Sequence, residues 1–236
     1  MDQRLRIILE LIDKNSKGIC DVGTDHGFVP VKLAADGYNG NIIAADINPE
    51  PLRRAESNAN SLNVSERIVF CLHNGLPEHF SDKFDTAVIA GMGGDLICSI
   101  IDRADWIFSD KYTLILQPMT KPEIVRYYLA NNGFNITEDW LASDRGRLYQ
   151  VIKCKFTSVN DKYTDLELFS GKISICNDKA MYFRLLTNLR ENMEMILNKT
   201  TAAGKRQAEV FYGNILNEIY EITGINLSEC EYGIKD

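Results

Sequence analysis

Seven consecutive residues, Asp21-Val22-Gly23-Thr24-Asp25-His26-Gly27, gather two carboxylates, an imidazole and two glycines. They follow a short apolar run and precede a helical pattern, the place where open parallel sheets receive a nucleotide-like ligand. Glycines at such a turn let backbone approach a ligand closely. Asp46 closes a second apolar run 25 residues on, where an acidic side chain accepts hydrogen bonds from ribose hydroxyls. Each feature also has a plain structural reading. D-x-G-x-x-x-G suits a glycine-rich strand-to-helix turn, and Asp46 suits a helix N-cap, a task that Asn48 before Pro49 could equally serve.

Charge separates the candidate cofactors. A dinucleotide would press its pyrophosphate against Asp21 and Asp25, whereas S-adenosylmethionine presents a sulfonium and an ammonium to them. The sequence also lacks G-x-G-x-x-G. The expected cofactor set is Asp21, Gly23 and Thr24 around the end of the first strand and Asp46 and Ile47 at the end of the second. Asn74 and Gly75 follow the third strand, with Asn74 facing the adenine amino group, and Ala90, Gly91 and Met92 follow the fourth. Gly91-Met92-Gly93-Gly94 replaces the Asn/Asp-Pro-Pro-aromatic tetrapeptide by which many amino-methyltransferases hold a target nitrogen. Three glycines directly before a helix point to close ligand approach. Asp95 reads as a helix cap. His73 and His79 have no evident partners, and three histidines with scattered cysteines give no metal site.

The elements that must position these residues alternate in the βα pattern of a parallel sheet. Strands are expected at Gly18–Val22, Asn41–Ile47, Arg67–Leu72, Phe84–Ala90 and Tyr112–Gln117, with helices at Pro30–Asp36, Pro49–Leu62, Asp95–Ala104 and Lys121–Asn131. Pro49 and Pro122 suit first-turn positions, and Asn132-Gly133 a helix stop. The opening MDQRLRIILELIDKN reads as an amphipathic helix, its acids excluding a signal peptide. Asn135–Ala142 and Arg147–Phe156, joined by Ser143-Asp144-Arg145-Gly146, form a hairpin that ends the sheet on an antiparallel strand. A seventh antiparallel strand typifies methyltransferases of the doubly wound α/β, Rossmann-like class.

Beyond residue 157 the pattern turns helical. Tyr182, Leu186, Leu189, Met193 and Ile196 form one stripe, and Ala208, Phe211, Ile215, Ile219 and Ile222 another, with Gly204 between them. These predict a small, coiled-coil-like helical domain over 158–236, beside a catalytic domain over 1–157. It serves either as a packing or dimer element or as a substrate arm. It holds nine Lys/Arg against twelve Asp/Glu, yet Lys199, Lys205 and Arg206 gather at the hairpin tip, and Lys172, Lys179, Arg184 and Arg190 lead into and along its first helix.

The 236 residues are 45% hydrophobic, enough for one substantial core plus an appendage. No apolar run approaches the ~20 residues that span a bilayer. Cys20, Cys71, Cys98, Cys154, Cys176 and Cys230 are scattered, fitting buried thiols in a reducing cytoplasm. A net charge of -7 opposes a nucleic-acid partner globally, while a local basic face can coexist with it. Monomer and homodimer both stay open.

DVGTDHG-F-VP, IAADIN, HNGLP, IAGMGG, LQP and RGRLYQVI occur here in one order, with Arg4-Leu5 ahead of them. In this the chain resembles the bacterial tRNA (adenine-22-N1)-methyltransferase family over nearly its whole length. Asp46 stands where the family pattern favours Glu or another acid, and Asn74-Gly75 where it favours Asp-Gly. The amide oxygen still accepts from adenine's amino group, more weakly than a carboxylate. The resemblance implies methyl transfer from S-adenosylmethionine to N1 of a tRNA adenine in the D-arm. It makes Asp25, with His26 beside it, the first candidate for stabilising the cationic product, or else for holding the cofactor's methionine end. It makes Lys199, Lys205 and Arg206 candidate RNA contacts. A methyltransferase acting on a small molecule or protein, and a non-catalytic cofactor-binding module, are the competing readings.

Overall fold

A computed structural model describes residues 2–224; Cys230 and Lys235 lie outside them. Seven strands form one sheet in the order β3-β2-β1-β4-β5-β7-β6. They are β1 (Gly18–Val22), β2 (Asn41–Asp46), β3 (Ile68–Leu72), β4 (Thr86–Gly93), β5 (Thr113–Thr120), β6 (Phe134–Asp144) and β7 (Arg147–Phe156). β1 to β5 pair in parallel, and β7 runs antiparallel between β5 and β6. The strand order reverses between β1 and β4, which opens a crevice at their carboxyl ends.

Both faces of this sheet are covered, so its strands read as near-continuous apolar runs. On one face Ile19, Ile42, Ala44 and Val88 pack with α1 (Gln3–Leu11), α2 (Phe28–Ala35) and α3 (Pro49–Ser61). On the other, Cys20, Ile43, Ala87 and Ile89 pack against α4 (Gly94–Asp102) and α5 (Pro122–Asn131). Pro49 and Pro122 occupy first-turn positions as expected. Four of the five described cysteines are buried and none is paired.

Three local expectations need correction. β4 does not stop at Ala90; it continues to Gly93 through a bulge, with Met92 opposite Pro118 and Gly93 opposite Thr120. The glycine tetrad is thus mostly strand, because β5 also runs on to Thr120 and offers it a partner. The β6–β7 hairpin closes on two residues, Arg145 (φ 46) and Gly146 (φ 82), the doubly positive φ of the turn that matches strand twist. Asp95 is not a cap: Gly93 holds that position, and Asp95 pairs with Lys121 at 2.6 Å.

The C-terminal elements are α6 (Asp165–Ser170), α7 (Lys179–Ala202) and α8 (Arg206–Thr223). Thr164 and Glu167 cap α6 reciprocally. Tyr182, Leu185, Leu186 and Met193 meet Ile215, Leu216, Ile219 and Tyr220 in a separate core that includes Leu141 of β6. The expected α8 stripe is rotated, leaving Phe211 and Ile222 exposed while Leu216 and Tyr220 turn inward. Asn177 bonds both the N–H and the C=O of Leu141, at 2.7 and 3.2 Å, tying the start of α7 to the sheet.

A buried ion pair makes the second tie. Arg126 of α5 and Asp139 of β6 meet in two parallel hydrogen bonds of 2.7 and 2.8 Å, and both side chains are almost fully buried. Arg126 also donates to Gln150 and to the carbonyls of Leu168 and Phe169. Its charge is compensated and its donors are shared among two strands and α6.

Candidate functional site

The first loop leaves β1 at Val22 and turns at Gly23, whose φ of 74° favours glycine. A Cβ at Gly23 would overlap the Met92 methyl, so the β1 and β4 ends interlock at this point. Gly23 lines two cavities. One, of about 260 Å³, is bounded by Asp21, Thr24, Asp25, Ala90 and Gly91, with Arg4, Leu5 and Phe28 at its edge. The other, of about 270 Å³, is bounded by Asp46, Ile47, Asn74, Gly75 and Met92, with Leu96 and Arg103. All ten expected cofactor residues therefore line one crevice, four on one side of Gly23 and five on the other.

Asp21 is a buried acid there. The residue is 7% exposed, and its carboxylate has no cationic partner among the described residues. Burial pushes its pKa up to about 6; the nearby Thr24 hydroxyl draws it down in part, and Asp46 raises it further. The Thr24 hydroxyl is itself buried without a formed hydrogen bond. A buried carboxylate beside an orphaned hydroxyl fits a ligand that brings positive charge and hydrogen-bonding groups. Asp46 accepts from the Asn48 N–H at 2.8 Å through one oxygen. Asn48 occupies the N-cap of α3 without a side-chain bond, so capping does not consume either residue's side chain fully. The Asn74 amide oxygen takes a long 3.4 Å contact from Arg103, and the exposed Ile47 and Leu96 supply apolar walls nearby.

Asp25 is different: its side chain is 59% exposed and pairs with Arg54 of α3 at 2.5 Å. The Arg54 hydrogen bond holds its pKa below the usual carboxylate range against a small opposing effect of burial, and His26, 3.7 Å away, adds to the lowering. Asp25 is thus a fixed negative charge at the rim. Sequence reasoning missed Arg54 because it lies four residues after Glu50 and reads as a helix-surface ion pair.

Arg4 was noted only as part of a motif. Its guanidinium reaches Gln117 Oε1 at 3.2 Å, and the same oxygen accepts from the Gly91 N–H at 3.1 Å. Gln117 is fully buried and so sets the place of both. At the far end, Lys199, Lys205 and Arg206 cluster at the α7–α8 tip, all exposed and none in an ion pair among the described residues. Lys172 and Arg184 are committed elsewhere, to Asp161 and to the Gly146 carbonyl. No helix among the described residues is long and apolar enough to cross a membrane.

A doubly wound sheet with a seventh antiparallel strand and an acid-lined crevice at the β1/β4 switch point defines a class I methyltransferase architecture. The methyltransferase domain model matches residues 1–152, and the chain belongs to that family. It is 24% identical over 173 residues to the tRNA (adenine(22)-N(1))-methyltransferase of Bacillus subtilis (strain 168), covering 73% of this chain and 72% of that protein. It is 26% identical over 213 residues to a putative tRNA methyltransferase of Mycoplasma pneumoniae, covering 84% and 92%. Among solved structures, M. capricolum TrmK in complex with the natural cofactor product S-adenosyl-homocysteine superposes with a TM-score of 0.77 at 25% identity. That likeness covers 94% of this chain and 97% of that one, C-terminal helices included.

Proposed function

We propose that this protein is a cytoplasmic enzyme that methylates N1 of adenine 22 in tRNA, with S-adenosylmethionine as donor. The likeness to the M. capricolum and B. subtilis proteins, which extends through the helical segment in the former, supports the acceptor. The observation that carries the donor is Asp21, a buried carboxylate left without a cation. In this reading Asp21 and Thr24 take the amino-acid end, Asp46 the ribose hydroxyls, and Asn74 with Ile47 and Met92 the adenine.

S-adenosylmethionine, when bound, supplies an electrophilic methyl group. Neutral adenine N1 carries a free lone pair, so no base is needed to create the nucleophile. Methylation leaves a cationic ring, and Asp25 provides the compensating charge at the rim. Arg54 keeps Asp25 ionised and lowers its basicity, which makes it a better electrostatic stabiliser than proton acceptor. His26 shapes the site beside it. N1 lies on the pairing edge, so the adenine must be unpaired and swung into the crevice. Lys199, Lys205 and Arg206 contact the RNA backbone at a distance, on the helical arm.

The test is methylation of an unmodified tRNA transcript, with the product mapped by a reverse-transcription stop at position 22. A stop there, absent when adenine 22 is replaced by guanine, is expected. Methylation of small molecules or protein alone would favour the competing reading.

A further inference from the structure

Next to the crevice is a larger cavity of about 560 Å³, whose walls include Arg4, Leu5, His26, Phe28, Asn58 and Leu62. It shares Arg4, Leu5 and Phe28 with the Asp21 cavity. Phe28 opens α2 and stays 54% exposed, although Val29, Pro30 and Val31 behind it are buried. His26 sits at a φ of 62°, uncommon for a residue with a side chain. One contact holds it so, the Asn58 amide donating to the His26 carbonyl at 2.9 Å, and the absence of a side chain at Gly27 lets Ala55 of α3 pack close behind. The imidazole is thereby stacked on Phe28, ring centres 5.4 Å apart and planes 23° apart. Strained backbone that surroundings over-determine marks places where a side chain must be aimed.

We propose that the His26–Phe28 pair is the platform on which the acceptor base stacks, in the groove between α1, α2 and α3, with its pairing edge toward the Asp21 cavity. This rests on the functional reading above. A flat, exposed aromatic surface accepts an unstacked nucleobase, a contact typically worth tenfold or more in affinity. The rest of the groove is apolar, from Val31, Ala35 and Leu62, with a few polar groups at its edges, as in sites that orient a ligand. Arg4, on the wall common to both cavities, keeps its Nε buried without a partner. The shared wall places a base lying on Phe28 beside Gly91 and Asp25, the rim where the product's charge develops.

The experiment uses the full chain and compares the unaltered protein with Phe28→Ala and Phe28→Tyr. It measures steady-state kinetics on unmodified tRNA and, separately, S-adenosylmethionine affinity by calorimetry. Phe28→Ala is expected to raise KM for tRNA about tenfold with cofactor affinity unchanged, and Phe28→Tyr to restore it. Unchanged KM and kcat in a folded Phe28→Ala protein would overturn the platform, and so would an equal loss of cofactor affinity, which would assign Phe28 to the donor site. Absence of tRNA methylation by the unaltered chain would overturn the functional reading along with the platform, an outcome distinct from failure of Phe28 alone.

Discussion

Asp21 and Asp139 are both buried carboxylates, and the protein treats them in opposite ways. Asp139 meets Arg126 in two parallel bonds, and Arg126's remaining donors reach Gln150 and two carbonyls. Asp21 has no cation, only a nearby hydroxyl and a second carboxylate that raises its pKa. The difference separates a hub that fastens the helical segment to the sheet from a group kept unpaired for a ligand. Burial alone does not identify a functional acid; what distinguishes it is whether the fold supplies the opposite charge.

Breaking the hub should have the largest effect. Arg126→Met strands Asp139 in the interior and is expected to cost about 3–5 kcal/mol of stability in denaturant titrations, with cofactor affinity retained while the protein is folded. Arg126→Met combined with Asp139→Leu should recover much of the loss, since an apolar pair of similar bulk leaves no buried charge. Deleting residues 158–236 would remove two acceptors of Arg126 and part of the core around Leu141, so truncation confounds packing with RNA contact.

Asp21→Asn should show the reverse pattern. The folded-state pKa of Asp21 is raised from 3.8 to about 6, so between these values the unfolded chain is ionised while the folded one keeps its proton. Raising pH through that window therefore destabilises the ligand-free fold, by at most about 3 kcal/mol at 1.36 kcal/mol per unit. Asp21→Asn should remove this loss, so its melting temperature at pH 7 stays level or rises, while S-adenosylmethionine affinity falls at least about tenfold. A fall in both stability and affinity would make Asp21 a second structural acid and erase the contrast.

Asp25 extends the comparison to the rim, where a paired but exposed carboxylate is offered to the reaction. Asp25→Asn is expected to lower kcat about tenfold with cofactor affinity little changed. If affinity collapses and saturated turnover survives, Asp25 holds the donor. The smallest effect is expected at the far tip. Replacing Lys199, Lys205 and Arg206 together by Gln should raise KM for tRNA and flatten its dependence on salt, with kcat at saturating tRNA preserved.

The crevice was legible in the sequence because its signals are local: acids and glycines at the ends of apolar runs, each a few residues from a helix start. Arg126 and Asp139 were not, since an arginine on an amphipathic helix and an aspartate in an alternating strand both read as solvent-facing until β6 and α6 close over them. Arg54 was masked by its helical spacing from Glu50. The β4 extension escaped notice because three glycines look like a loop, and only the length of β5 decides that they pair. The turn of the α8 stripe was set by Leu141 and α7, tertiary partners that periodicity does not contain. The short helix α6 that reaches Arg126 escaped notice too, although its start is a Thr-x-x-Glu capping box at Thr164 and Glu167.

The most direct measurement is calorimetric titration of the full chain with S-adenosylmethionine at pH 5 and pH 7.5, alongside Asp21→Asn. Ligand charge favours the ionised form of Asp21, so affinity should rise severalfold as pH passes through about 6 in the natural protein and stay flat in the variant. Equal affinity at both pH values in the natural protein, or tighter binding of NAD than of S-adenosylmethionine, would contradict the assignment of Asp21 as the carboxylate reserved for a cationic cofactor.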